Sequence, residues 1–345
     1  MTRPSRLSIV PALRSKRCAT DVVPLCRVST PGSAWAWWLV RATALALAVF
    51  LLGVTACTGA APNPVPAATS GSSPAGSRSA SPAAEVDKVL VIVEEDRSVQ
   101  DVQANMPFLM SQARTSGTAT NYYAITHPSL PNYLALAGGS TFGVTDDNDP
   151  EEHRLKGPSV FGQLVAAGRT TKTYAEAMPT NCALSNEETY AVRHNPWTYF
   201  EDHTERAACA QFDVPLGSLS AGALVDDINA GTLPTFGLVV PDLCNDGHDC
   251  SAATTDDWLR SWLPAIKRGP DFQSNRLAIV VTWDEDDEHS GNRVAMVVIH
   301  PSLKGKHVTT KIDHYGLLAS NARVGGIPPL GRADQATDLL AAFGL

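Results

Sequence analysis

The chain has 345 residues, with 27 Lys and Arg against 35 Asp and Glu and a formal net charge of −8. Residues 1–57 hold seven of the basic and one of the acidic residues, which leaves 20 basic against 34 acidic residues from Thr58 onward, a net of −14. So acidic a balance excludes a nucleic-acid-binding surface, and carboxylates in that excess suit a cation.

Residues 1–41 are basic and irregular, and Ala42–Thr55 is a continuous apolar run behind Arg41. Fourteen apolar residues are few for a bilayer span but fit the apolar stretch of a signal peptide. The run closes on Val54-Thr55-Ala56-Cys57, and small residues before a cysteine resemble a bacterial lipobox. On that reading 1–57 is a signal peptide and Cys57 carries the lipid anchor that holds the protein at the outer face of the cell membrane. An ordinary cleaved signal, giving a secreted protein, and an uncleaved anchor are the alternatives. The leader is long, and a start near Val28 would shorten it. Residues 58–84 are almost entirely Ala, Pro, Ser, Gly and Thr, a composition that buries no core and reads as a disordered tether. Residues 85–345 are the length of one catalytic domain.

Within that domain, Lys88–Val93, Thr235–Val240, Leu277–Trp283 and Val294–Ile299 are short β-branched runs that read as buried strands. Helices are expected over Pro107–Ser116 behind an Asn105 cap, Val160–Ala167 before Gly168, Thr255–Lys267 and Ala333–Phe343. Continuously apolar strands separated by helices predict an α/β fold, a three-layer sandwich with a mostly parallel central sheet. The stretch Ile125–Gly139, "ITHPSLPNYLALAGG", reads as a helix capped by Ser129, with Pro131 in its first turn and Gly138-Gly139 at its end. Cys182, Cys209, Cys244 and Cys250 remain once the leader cysteines are set aside. In an exported domain four cysteines suggest two disulfides, and the local pairing is Cys182–Cys209 with Cys244–Cys250. A Cys₄ zinc site is the rival, but no Cys-x-x-Cys spacing supports it.

In sheets of this kind ligands bind beyond the carboxyl ends of the strands. Three of the predicted strands run straight into carboxylates there: Glu94-Glu95-Asp96, then Asp242 and Asp246 ahead of His248, then Asp284-Glu285-Asp286-Asp287. Three such clusters on one rim repel one another unless a cation neutralises them. Oxygen donors suit Ca, Mg or Mn, and added histidine admits Zn or Fe. Ser129 then has a second reading. At a helix start it lies beside unpaired N–H groups, a natural seat for phosphate, and Asn132 lies one turn along to hold a phosphoryl oxygen.

These motifs together resemble the bacterial phosphoesterase family of phospholipases C and acid phosphatases, and distantly the alkaline phosphatase superfamily. The likeness rests on "VIVEEDRS" (91–98), "THPSLPNYLALAGGSTFGV" (126–144), "VRHNPWTYF" (192–200), "VVPDLCNDGHDCS" (239–251), "VTWDEDD" (281–287) and "DHYGLLAS" (313–320). It implies an alkaline-phosphatase-like fold and a monomeric, metal-dependent acid phosphatase. Phosphate monoesters are the implied substrates, phosphoinositides among them, and nucleic acid is not a partner. Ser129 is implied as nucleophile and metal ligand, with Glu95, Asp96, Asp284 and Glu285 as further metal ligands. Asp96 departs from the Asn the family usually carries there. Asp242, Asp246 and His248 resemble a second metal half-site, His194 and His248 are candidates for protonating the leaving group, and His314 is a candidate ligand. A phospholipase C cutting diesters is the rival activity, and a non-catalytic surface lipoprotein that binds metal or solute is the third reading.

Overall fold

The structure is a computed structural model, and it describes residues 85–345. The signal, lipobox and tether expectations lie outside the described residues. Among the described residues there are ten strands: β1 (Lys88–Glu94), β2 (Gly117–Ala119), β3 (Tyr122–Tyr123), β4 (Thr171–Ala175), β5 (Asp213–Pro215), β6 (Phe236–Val240), β7 (Leu277–Trp283), β8 (Met296–Ile299), β9 (Lys306–Val308) and β10 (Ile312–Asp313). Eight of them form one sheet in the order β5-β4-β6-β1-β7-β8-β2-β9, while β3 and β10 form a separate parallel pair.

The five strands from β5 to β7 run parallel. The uninterrupted apolar sequences of β6, β1 and β7 predict this, while β4 and β5 carry polar residues and had no such signal. β8 reverses and pairs antiparallel with β7. Every residue of β1, β6 and β7 is buried, so both faces of the sheet centre are covered. The cover is two groups of helices. Helices 99–105, 107–115 and 252–268 pack on one another, and helices 129–138, 160–166 and 314–325 form the second group. This is the expected α/β architecture with its mostly parallel central sheet.

Some boundaries moved, each for a visible reason. Pro107–Thr115 is capped by the buried Asp256 carboxylate, which accepts from Phe108 N (2.9 Å) and Leu109 N (2.8 Å), and not by Asn105. Ala252–Arg268 starts three residues early because the Ser251 side chain caps it. The expected Ala333–Phe343 helix is broken into a 3₁₀ turn, Gly331–Gln335, and a helix, Leu339–Phe343, because Asp338 takes up an N-cap position and accepts from Ala341 N. Ser129 is the first residue of its helix, with Pro128 as N-cap, so the serine hydroxyl is released from capping. That helix ends at Gly138, and Gly139 turns left-handed at φ 71°, where a Cβ would lie 2.0 Å from the Leu330 carbonyl oxygen. Both expected disulfides are present, Cys182–Cys209 and Cys244–Cys250. Among the described residues, no helix is long and apolar enough to cross a membrane.

Candidate active site

The adjacent parallel strands β6, β1 and β7 end together, and the chain continues their hydrogen bonding for one more step. Glu95 N donates to the Asp246 carbonyl and Asp284 N to the Glu94 carbonyl, both at 3.0 Å. This extension brings Glu95, Asp246 and Asp284 side by side. Two groups of side chains result, each with one ligand atom per residue within 4.8 Å of the others: Glu95, Asp284 and Glu285, and Glu95, His194 and Asp246. Glu95 belongs to both.

Ser129 joins this centre directly. Its hydroxyl donates to Glu95 Oε1 at 2.5 Å, and the residue is 3% exposed. The other Glu95 oxygen lies 3.0 Å from His194 Nε2, and His194 Nδ1 lies 3.2 Å from Asp246 Oδ2. The order is therefore serine, carboxylate, imidazole, carboxylate. Burial alone would lower the His194 pKa, but Glu95 and Asp246 together push it up to about 9. Burial likewise opposes the Glu95 charge, yet His194, Asp284 and Ser129 hold its pKa down at about 2. The next carboxylates go the other way: burial and the Glu95 charge push Asp284 well above its usual value and Glu285 up to about 9.

That imbalance fits a cation. Glu95 Oε2, Asp246 Oδ2 and Asp284 Oδ2 are buried and have no aligned hydrogen-bond donor. A divalent ion held by the Glu95, Asp284 and Glu285 group would supply the missing positive charge and let these neighbouring carboxylates ionise together.

The remaining candidates fall into two sets. Asn132 is at the centre, but its amide is engaged: Nδ2 donates to the Thr126 carbonyl (2.8 Å), the Pro128 carbonyl (3.1 Å) and Glu285 Oε2 (3.0 Å). Asn132 thus braces the serine turn against Glu285. Asp96 is half-buried with φ 50°, and its backbone N lies 3.4 Å from Asp284 Oδ1. His314 contacts Asp284 through the backbone, its Nε2 2.6 Å from the carbonyl oxygen and its Nδ1 2.9 Å from the Tyr122 hydroxyl. Both ring nitrogens are therefore used, and burial lowers its pKa to about 4, so it is a neutral brace rather than a free ligand. Asp242 is turned away into its own loop, where it accepts from Cys244 N, Asn245 N and the Thr189 hydroxyl. His248 is surface-exposed and pairs with Asp249 at 2.7 Å. The structure brings neither Asp242 nor His248 into the centre, because the Cys244–Cys250 loop closes with His248 outward.

His127 has a larger part than its sequence context suggests. Its ring spans Glu285 Oε1 (3.2 Å) and Asp286 Oδ1 (3.1 Å), with the side chain 30% exposed at the opening. Glu94, named in the sequence only as one of the strand-end carboxylates, is fully buried with both carboxylate oxygens unpartnered, and burial beside Asp246 and Glu176 pushes its pKa well up.

Comparison with known proteins identifies the family and the fold. The profile of the Phosphoesterase family matches residues 101–327. Phosphatidylinositol-3-phosphatase of Mycobacterium tuberculosis is 33% identical over 260 residues, covering 74% of this chain and 82% of that protein. An acid phosphatase of Aspergillus fumigatus is 31% identical over 249 residues, covering 68% of this chain and 54% of that protein, so the chain spans about half of this fungal relative. Among solved structures, a Vibrio parahaemolyticus protein of the alkaline phosphatase superfamily shares the fold, with TM-score 0.52, 10% identity, and coverage of 73% of this chain and 70% of the other. The chain belongs to the phosphoesterase family.

Proposed function

We propose that this phosphoesterase is an exported, metal-dependent acid phosphatase that hydrolyses phosphate monoesters, phosphoinositides among them, through a phosphoserine at Ser129. The observation that carries the reading is the 2.5 Å hydrogen bond from the Ser129 hydroxyl to an ionised Glu95 inside a ring of buried carboxylates. The names of the mycobacterial and fungal relatives support the substrate class. Two disulfides support an oxidising compartment outside the cytosol.

Glu95, Asp284 and Glu285 would hold the divalent ion, with Ser129 and Asp96 beside them. When bound, the ion withdraws charge from the serine and phosphoryl oxygens. The chain's own residues do the rest. Glu95 accepts the hydroxyl proton as Ser129 Oγ attacks phosphorus in line, and the ester P–O bond breaks. His194 is 1% exposed and stands behind Glu95, so it serves by fixing that carboxylate's position and charge. The imidazole at the opening is His127, between Glu285 and Asp286, and on this reading it gives the leaving oxygen its proton. Water then attacks phosphoserine, the P–O bond to Ser129 breaks, the hydroxyl is restored and inorganic phosphate leaves.

The test is rapid quenching with ³²P-labelled substrate followed by peptide mapping. Label on Ser129, with inorganic phosphate as product, is the expected result. In Ser129→Ala the label should vanish and turnover fall by several orders of magnitude, about 4–8 kcal/mol of barrier. Full activity in that variant, label elsewhere, or release of a phosphorylated headgroup in place of phosphate would refute the reading.

A further inference from the structure

The backbone at the start of the Ser129 helix offers few donors to a phosphoryl group. Leu130 N–H is the first amide after the nucleophile, and Pro131, which follows, has none. The Asn132 side-chain amide is engaged by Thr126, Pro128 and Glu285. Leu130 N–H itself is taken: it donates to Asp147 Oδ1 at 2.9 Å. Pro128 supplies no side-chain cap, so a carboxylate from a distant loop occupies the positive end of this ten-residue helix. Asp147 brings a negative charge beside Glu285, which is already crowded by Glu95. Among the described residues its ion-pair partner is Arg193, whose Nε is 4.0 Å from Oδ2, a pair too long for a hydrogen bond.

We infer that Asp147 is a displaceable stand-in for substrate: the phosphoryl group takes its place on Leu130 N–H and under Arg193, so this carboxylate sets how tightly the site holds phosphate. The inference rests on the phosphoserine reading above. The surrounding loop is tied down. Tyr199 OH donates to the Asn148 carbonyl at 3.1 Å, Asp146 pairs with His153, and Asn186 donates to Asp149 at 3.3 Å. Displacement is therefore a side-chain rotation of Asp147, which is 33% exposed, and not an opening of the loop. A phosphate dianion offers Leu130 N–H and Arg193 the same kind of acceptor with more charge. The exchange weakens binding of substrate and of product alike, and it thereby favours release of inorganic phosphate.

The experiment compares wild type, Asp147→Asn, Asp147→Ala and Arg193→Gln. For each, p-nitrophenyl phosphate turnover gives kcat and KM, inorganic phosphate as competitor gives Ki, and thermal unfolding gives Tm. Loss of a competing charged hydrogen bond should lower the phosphate Ki of Asp147→Ala about tenfold, with a parallel fall in KM. Asp147→Asn keeps an oxygen for Leu130 N–H without the charge and should lie between Ala and wild type. Arg193→Gln should raise both KM and Ki. A purely structural cap would lower Tm and leave Ki where it was, and that result, or a higher Ki in both Asp147 variants, overturns the inference. Labelling of Ser129 in the same preparations separates the two failures. With label present and Ki unmoved, only the role of Asp147 falls; with no label in wild type, the phosphoserine reading falls as well.

Discussion

Asp213 forms no ion pair among the described residues and is completely buried, at 0% exposure, at the start of β5. Its carboxylate accepts from Asn195 Nδ2 at 3.0 and 2.9 Å. Asn195 follows His194, so this contact anchors the segment that carries the buried imidazole to Glu95. Burial pushes the Asp213 pKa from 3.8 up to about 8, and the Asn195 hydrogen bond lowers it only in part. The sign follows directly. Between pH 4 and 8 the folded protein keeps a proton that the unfolded chain has released, so stability falls as pH rises through that window. Each unit is worth about 1.4 kcal/mol, and the full shift of roughly four units is worth about 5–6 kcal/mol at most. Asp213→Asn keeps the shape and an oxygen for Asn195 while removing the titration. The measurement is urea unfolding of both proteins, disulfides intact, at pH 4.5, 6.0 and 7.5. The stability of the variant relative to wild type should climb by about 4 kcal/mol from the lowest to the highest pH. A difference that stays flat across the three values would refute the claim that Asp213 is held protonated, and with it the view that the domain is built for acidic surroundings at this position.

Two further outcomes follow from the same geometry. Asp284→Asn, or chelation of wild type with EDTA, should abolish phosphate release, because either removes charge or ligand from the group that Glu95, Asp284 and Glu285 form. Steady-state assay with and without added divalent ion checks it, and near-normal turnover at limiting metal would reject the assignment. Lys88 forms a buried ion pair with Asp271 at 2.7 Å under the start of β1. Lys88→Met leaves Asp271 with Leu233 N–H and the longer Arg276 contact at 3.8 Å, so it should cost about 3 kcal/mol in urea unfolding, the low end for a broken buried pair. Lys88→Met combined with Asp271→Leu should recover only part of that loss, because Leu233 N–H then loses its acceptor.

The buried central strands and the acidic rim were legible in the chain because both depend on local sequence, whereas the order of the strands in the sheet was not. The apolar runs of β1, β6 and β7 are continuous, which requires cover on both faces, and the carboxylates follow each run within one or two residues in β1 and β7. The two disulfides were legible for the same reason, since local pairing closes the shorter loops. What the sequence could not decide was direction. Asp242 and Asp246 are four residues apart on one loop, yet Asp246 faces Glu95 and His194 while Asp242 turns to cap its own backbone. His248 and His194 carry the same imidazole, but only His194 is drawn between two buried carboxylates. His314 reaches the centre and spends both nitrogens on Tyr122 and a backbone carbonyl. Asp147 gave no motif at all, because its partner, Leu130 N–H, is a backbone group seventeen residues away. Sequence spacing determines which side chains arrive at the strand ends; the orientation of each one is a balance of desolvation against specific partners, and that balance exists only once the loops have packed.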